Sequence, residues 1–141
     1  LGWTDTFKQI LSKLKSDLKS LKINGNTAFD AVYVGRKAAP TQFPCVFIFP
    51  RRVRERPASA GTSVYEMQFE IRVVSKAVGG EAGLTDAVTR IGAVESMLIS
   101  DRSYGGLVDN LEVDEIQPEI ELPRVRERHE SALRVTFRKL M

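Results

Sequence analysis

Two short stretches of this chain concentrate the residues with the most recognition chemistry, and they are nearly the same stretch. Arg51-Arg52-Val53-Arg54-Glu55-Arg56 follows Pro50, and Arg124-Val125-Arg126-Glu127-Arg128 follows Pro123. Each contains Arg-Val-Arg-Glu-Arg. A guanidinium group is planar, permanently charged and carries a fork of donors that fits carboxylates and phosphates. In extended backbone, alternate side chains point to opposite sides. Arg52, Arg54 and Arg56 then share one face, with Val53 and Glu55 on the other. Arg124, Arg126 and Arg128 do the same against Val125 and Glu127. An exposed ion pair contributes only about 0–1 kcal/mol, so such rows matter when many engage together on a repeated surface. The glutamate in each row repels phosphate and suits a protein partner, where Arg and Glu pair reciprocally. The plain alternative is two similar, solvated hairpin arms.

Other candidate chemistry is sparse. His129 stands between Arg128 and Glu130 on a charged stretch, without the nucleophile or orienting partner that a general base needs, and reads as a surface or interface residue. The single cysteine, Cys45, lies in an apolar run; it excludes an internal disulfide and reads as a small buried hydrophobe. Glu112, Asp114, Glu115, Glu119 and Glu121 form an acidic run. On strand geometry Glu115, Glu119 and Glu121 share a face with Gln117. That face is a weak cation site, a solvated surface, or the complement of another subunit's arginines. Gly79-Gly80-Glu81-Ala82-Gly83 precedes a helix, but no Lys-Ser/Thr follows and no G-x-G-x-x-G occurs. It reads as a flexible connection. No nucleophile elbow is present. The pattern predicts no enzyme, no cofactor and no metal site.

The elements that must carry these residues follow from periodicity. Trp3, Phe7, Ile10, Leu14, Leu18 and Leu21 recur at three- and four-residue steps, predicting an amphipathic helix over 3–22. Thr6 with Gln9 has capping-box spacing, and Asn24-Gly25 reads as the helix stop. Phe29 to Val34 is a short strand. Cys45 to Phe49 is apolar on both faces, as for an inner strand covered on two sides. Arg51 to Ser63 reads as a long exposed hairpin arm. From Val64 to Val74, Tyr65, Met67, Phe69, Ile71 and Val73 alternate with polar residues, predicting a strand with one solvated face. Lys76 to Gly83 reads as a loop and Leu84 to Ser100 as a second helix. Leu107 to Val113 is a strand whose alternation shifts at Asp114-Glu115, predicting a bulge. Pro118 argues for a sheet edge. Ala132 to Leu140 is the last strand.

With 141 residues and net charge +3, the chain has the size of one mildly basic domain, 1–141. No apolar run approaches the ~18–20 residues of a membrane span. The predicted class is α+β: a mostly antiparallel sheet of about six strands, two helices packed on one face, and extended β-hairpin arms.

This layout resembles one family. Phe43-Pro44-Cys45-Val46-Phe47-Ile48-Phe49-Pro50 leads into a long arm, and the second helix ends in Leu98-Ile99-Ser100-Asp101-Arg102-Ser103-Tyr104-Gly105-Gly106-Leu107-Val108. The x-Pro-apolar strand and the helix-Asp-Arg-x-x-Gly-Gly-Leu-Val turn, in this order of elements, are similar to the tail terminator (tail completion) proteins of tailed bacteriophages. The resemblance implies a structural virion protein at the tail–neck junction, made in the host cytoplasm. It implies a homo-oligomeric ring, typically a hexamer, that ends tail-tube polymerisation. Its partners are the tail tube protein, the neck or connector (stopper) protein and, in a contractile tail, the sheath protein. DNA passes through the lumen without sequence-specific binding, and no membrane is involved. A ring needs one patch of each subunit to meet a different patch of the next. The arginine arms meeting a neighbour's acidic 112–121 stretch is one such contact, and an added edge strand is another. Another neck or head-completion protein has the same implied layout. A basic nucleic-acid-binding module is the alternative from a different class.

Overall fold

The computed structural model describes residues 2–35, 40–76, 80–120 and 128–141. Trp3–Ser20 form helix α1, with Ile10, Leu14 and Leu18 fully buried. It begins a turn earlier than the Thr6–Gln9 spacing implies. Gly2 is the N-cap without a side-chain cap, and Thr6 is a buried residue inside the helix. The reason lies in two rings. Trp3 packs edge-on to Phe7 at 6.0 Å, and Phe7 stacks on Phe69 at 5.0 Å, so burying them draws the helix upstream. Asn24-Gly25 is likewise not the helix stop. It is the turn between β1 (Lys22–Ile23) and β2 (Asn26–Thr27), with φ of 52° and 81°, values that Asn and Gly tolerate.

The main sheet contains β3 (Ala31–Val34), β4 (Cys45–Ser59), β5 (Thr62–Lys76), β6 (Asn110–Gln117) and β7 (Arg128–Leu140), in the order β3-β4-β5-β7-β6. Only the β3–β4 pairing is parallel. The register of β4, β5, β7 and β6 lines up apolar residues across these four strands. Val53, Met67, Phe137 and Leu111 form one rung, Pro50, Phe69, Val135 and Val113 the next, and Ile48, Ile71, Leu133 and Ile116 a third. Helix α2 (Gly80–Ile99) joins α1 over this face, contributing Ile91, Val94 and Leu98 to the same core. The glycines at 80 and 83, expected in a loop, lie in the first turn of α2, where Glu81 complements the helix dipole. The predicted bulge is present: register shifts between Val113 and Glu115. The fold is thus α+β, mostly antiparallel, with both helices on one face; the sheet has five strands and a two-stranded ribbon stands apart.

The first part of β4, from Cys45 to Ile48, is covered on both sides, as its composition requires. On the face away from the helices, Cys45, Phe47 and Val74 form a small cluster with Tyr33, Phe43 and Phe49. The Arg72 guanidinium lies 5.4 Å from the Phe49 ring and that of Arg128 5.0 Å from Phe43. Burial pushes the Cys45 thiol up to about 11. Among the described residues no helix is long and apolar enough to cross a membrane.

Candidate assembly interface

The hairpin that carries the first arginine row is β4 and β5 joined at Ala60-Gly61. Gly61, at φ +80°, supplies the left-handed turn conformation that other residues resist. The arm is less free than its composition suggests. β5 pairs with β7 as far as Val64 opposite Leu140, and Ser63 exchanges backbone hydrogen bonds of 2.8 and 2.9 Å with Met141. Only the tip beyond Ser63 extends past this strand end. The arginines therefore lie on the outer face of the sheet itself.

That face is a ladder of alternating charge. Arg56 Nε is 2.9 Å from Glu66; Glu66 accepts a 2.7 Å hydrogen bond from Arg138 Nε; Arg138 donates at 2.9 Å to Glu112. Four strands are spanned by one row of positive, negative, positive, negative. A second row centres on Glu70, whose side chain is only 3% exposed. Arg72 lies 2.7 Å from it, Arg134 3.4 Å and Arg51 4.0 Å, and Arg134 reaches on to Glu115 at 3.9 Å. Between the rows, Gln68 donates to Asp114 at 3.1 Å, and Thr136 donates to the same carboxylate. The outward residues of β5 are thus not a plainly solvated face: Glu70 is buried because guanidinium groups close over it. Arg138's hydrogen bond, with the nearby charges of Arg56 and Arg54, holds the Glu66 carboxyl below the usual range.

The sequence-predicted residues divide accordingly. Arg52, Arg54 and Arg56 do share one face, around an open hollow of about 280 Å³ with Glu66, Gln68, Asp114, Thr136 and Arg138. Arg51 turns to Glu70 after a register shift between Pro50 and Arg52. Glu55, on the opposite side, accepts a 2.8 Å hydrogen bond from Ser63. Glu115 meets Arg134 of its own chain, and Glu119 lies 3.4 Å from His129 Nδ1. Arg128 covers Phe43. Glu121, Arg124, Arg126 and Glu127, and with them most of the second arm, lie outside the described residues. The acidic run does not simply wait for a neighbour, because Glu112 and Glu115 already touch arginines of β7. Those arginines, with Glu66 and Glu70, are the site residues that arm-centred reasoning missed. A signal existed: Glu66-x-Gln68-x-Glu70 and Arg134-x-Thr136-x-Arg138 have the same charge–neutral–charge spacing with opposite signs.

One edge of this face is open. β3 covers β4 only from Cys45 to Ile48. From Phe49 to Ser59, β4 pairs with β5 and, among the described residues, with no other strand. Such an edge is a template for another strand. Pro50, Pro57 and the register shift beside Arg52 limit which strands fit. On the helix side of the same edge lies a largely apolar groove of about 320 Å³, lined by Trp3, Phe7, Pro50 and Val53 among others. Among the described residues, no three His, Cys, Asp or Glu side chains converge as metal ligands. The arrangement sets guanidinium donors beside a strand edge that no second described strand pairs.

No family model matches the chain, and no curated protein matches it.

Proposed function

We propose that this chain is a structural virion subunit, a tail terminator that forms a ring at the head-proximal end of a phage tail tube. The single observation that carries this reading is the open edge of β4 from Phe49 to Ser59, lined by Arg52, Arg54 and Arg56. A strand edge with an attached charge row recognises another folded surface, not a small substrate. It supports a subunit whose role is to be joined: to its siblings, to the tail tube protein below and to the neck above, with a sheath protein outside where the tail contracts. The order of elements and the Asp101–Val108 turn support the family assignment. There Asp101 accepts hydrogen bonds from the Ser103 and Gly105 backbone at 3.2 and 2.7 Å, fixing the turn that leads into β6.

Deletion of the gene in its phage tests the role. A terminator's loss gives tails of uncontrolled length. Filled heads that lack tails and leak DNA would instead assign the chain to a stopper or another head-completion ring.

The hollow among Arg52, Arg54, Arg56 and Arg138 favours one further reading, a phosphate-binding surface for nucleic acid. Glu66 and Asp114 in the same hollow oppose it. Binding through phosphates weakens steeply with salt, so a gel-shift titration without salt-dependent retardation removes it.

A further inference from the structure

The sheet ends in edges of opposite charge, and we infer that a second copy of this chain continues it: the open stretch of β4 in one subunit pairs with β6 of the next. The inference rests on the ring reading above and names the surfaces that close the ring.

Charge supplies the first argument. On the outer face, at the levels of the open stretch, the strands run positive at β4 (Arg52, Arg54, Arg56), negative at β5 (Glu66, Glu70), positive at β7 (Arg134, Arg138) and negative at β6 (Glu112, Asp114, Glu115). A sibling's β4 beside β6 prolongs this alternation. Pairing β4 with β4, or β6 with β6, sets like charges opposite each other, which destabilises a sheet. The symmetric two-fold contact is thereby disfavoured and the head-to-tail contact favoured, and head-to-tail contacts generate rings when the rotation closes.

Height and direction agree. Through Gln68 and Thr136, Arg52 stands level with Glu112; through Glu70 and Arg134, Phe49 stands level with Glu115. The open part of β4 begins where β3 stops, and β6 from Glu115 back to Asn110 stands level with its first part, Phe49 to Arg54. Subunits side by side need no slide to join. β4 and β7 run one way, β5 and β6 the other. A copy rotated about an axis along the strands therefore sets its β4 antiparallel to β6, like the pairings inside each subunit.

The side chains of the edges also have capacity left, while at the β6 backbone Arg102, which donates at 3.0 Å to the Leu111 carbonyl, yields to the incoming strand. The Glu112 and Glu115 side chains are 56% and 50% exposed, and a carboxylate has about four acceptor sites, so their pairs with Arg138 and Arg134 do not saturate them. Among the described residues Arg52 has no ion-pair partner within 4.0 Å. On the helix side, the groove beside Pro50 and Val53 faces the seam, and β6 brings Val113 and Ile116, the latter 37% exposed.

Two experiments test this on the full chain. In the first, Arg52→Glu/Arg54→Glu and Glu112→Arg/Glu115→Arg proteins are sedimented separately and mixed, alone and with tail tubes. Each by itself is expected to stay monomeric and the equimolar mixture to assemble, since each then offers the edge that the other lacks. Assembly of either reversed protein alone, to the same extent as wild type, overturns the inference. The second experiment avoids any folding defect of reversed charges. Arg52→Cys/Glu112→Cys, with Arg54→Cys/Glu112→Cys to cover a two-residue slip, is oxidised during assembly. Cys45 is fully buried. Within one subunit the new thiols lie three strand spacings apart, about 14 Å, beyond the ~7 Å Cα separation a disulfide spans. A ladder of covalent multimers is expected from one of the double variants, and none from the single ones. Covalent dimers from Arg52→Cys alone would show the symmetric contact and overturn the inference. Annuli in micrographs without any ladder would remove the β4–β6 seam and leave the ring reading standing. Absence of annuli, on tubes as well as in solution, would remove both.

Discussion

The two faces of the sheet share the same strands and the same register, yet they hold together by different means. On the helix side, Val53–Met67–Phe137–Leu111 and its neighbouring rungs remove apolar surface from water. On the other side, Arg56–Glu66–Arg138–Glu112 exchanges hydration for ion pairs. Hydrophobic burial contributes about 1.5–3 kcal/mol per large side chain, whereas exposed ion pairs contribute about 0–1 kcal/mol. The helix side thus supplies the stability of the fold. The charged side supplies less of it, which leaves it available for the assembly role proposed above.

Phe137 of β7 tests this difference most strongly. Phe137 is fully buried, 5.7 Å edge-on from Phe69 and 5.1 Å from Tyr104. Phe137→Ala should destabilise by about 3–5 kcal/mol in urea unfolding. A loss below about 1 kcal/mol would mean that the apolar rungs are not the main source of stability.

The apolar side was legible in the sequence because its signal is local. Tyr65 to Val73 alternate within one strand, and the slip in alternation at Asp114-Glu115 marks the bulge directly. The charged side was legible only in pieces. The expectation of a free arm came from Arg51 to Ser63 read without its neighbouring strands. What anchors that row is Glu66 and Glu70 on β5 and Arg134 and Arg138 on β7, in which β7 lies between β5 and β6. Strand order is a non-local property that one strand's pattern does not encode. The capping-box reading at Thr6 failed for a related reason. Docking Trp3 on Phe7 and Phe7 on Phe69 outweighs the cap, and Phe69 is far along the chain.

Glu70→Ala should have the next largest effect and stands between the two faces in kind. It is an outer-face residue, but only 2% exposed, with Arg51, Arg72 and Arg134 gathered on it. Removing it leaves three cations facing one another. Their heads are partly solvated, so the expected loss is about 1–3 kcal/mol, recovered in part by raising salt. A neutral effect would place Glu70 with the ordinary surface pairs.

Smaller effects should appear in the pH dependence, with opposite signs at the two ends of the charged face. At Glu66, Arg138's hydrogen bond lowers the carboxyl; its contribution is present above the unfolded value, near 4.3, and fades as pH falls through the folded one. At Glu130, burial raises the carboxyl against the pull of Arg72 and Arg128. Its contribution is present below the unfolded value and is lost as pH rises through the folded one. Glu66→Gln should therefore lose stability at neutral pH and converge on wild type in acid. Glu130→Gln should gain on wild type as pH rises from 4 to 7. Each difference should be smaller than the loss from Glu70→Ala, and parallel pH profiles for the two variants would remove the contrast.

The smallest expected effect separates stability from assembly. The Arg56 side chain is 60% exposed although its Nε is 2.9 Å from Glu66. Arg56→Ala should change monomer stability by no more than about 0.5 kcal/mol, because water and Arg138 both remain to solvate Glu66. A loss above about 1 kcal/mol would show that the row acts as a cooperative network within one subunit, and the outer face would then belong to the fold as much as the inner one. With the small loss expected, any defect of Arg56→Ala in assembly would reflect the proposed contact between copies and not the fold of the subunit.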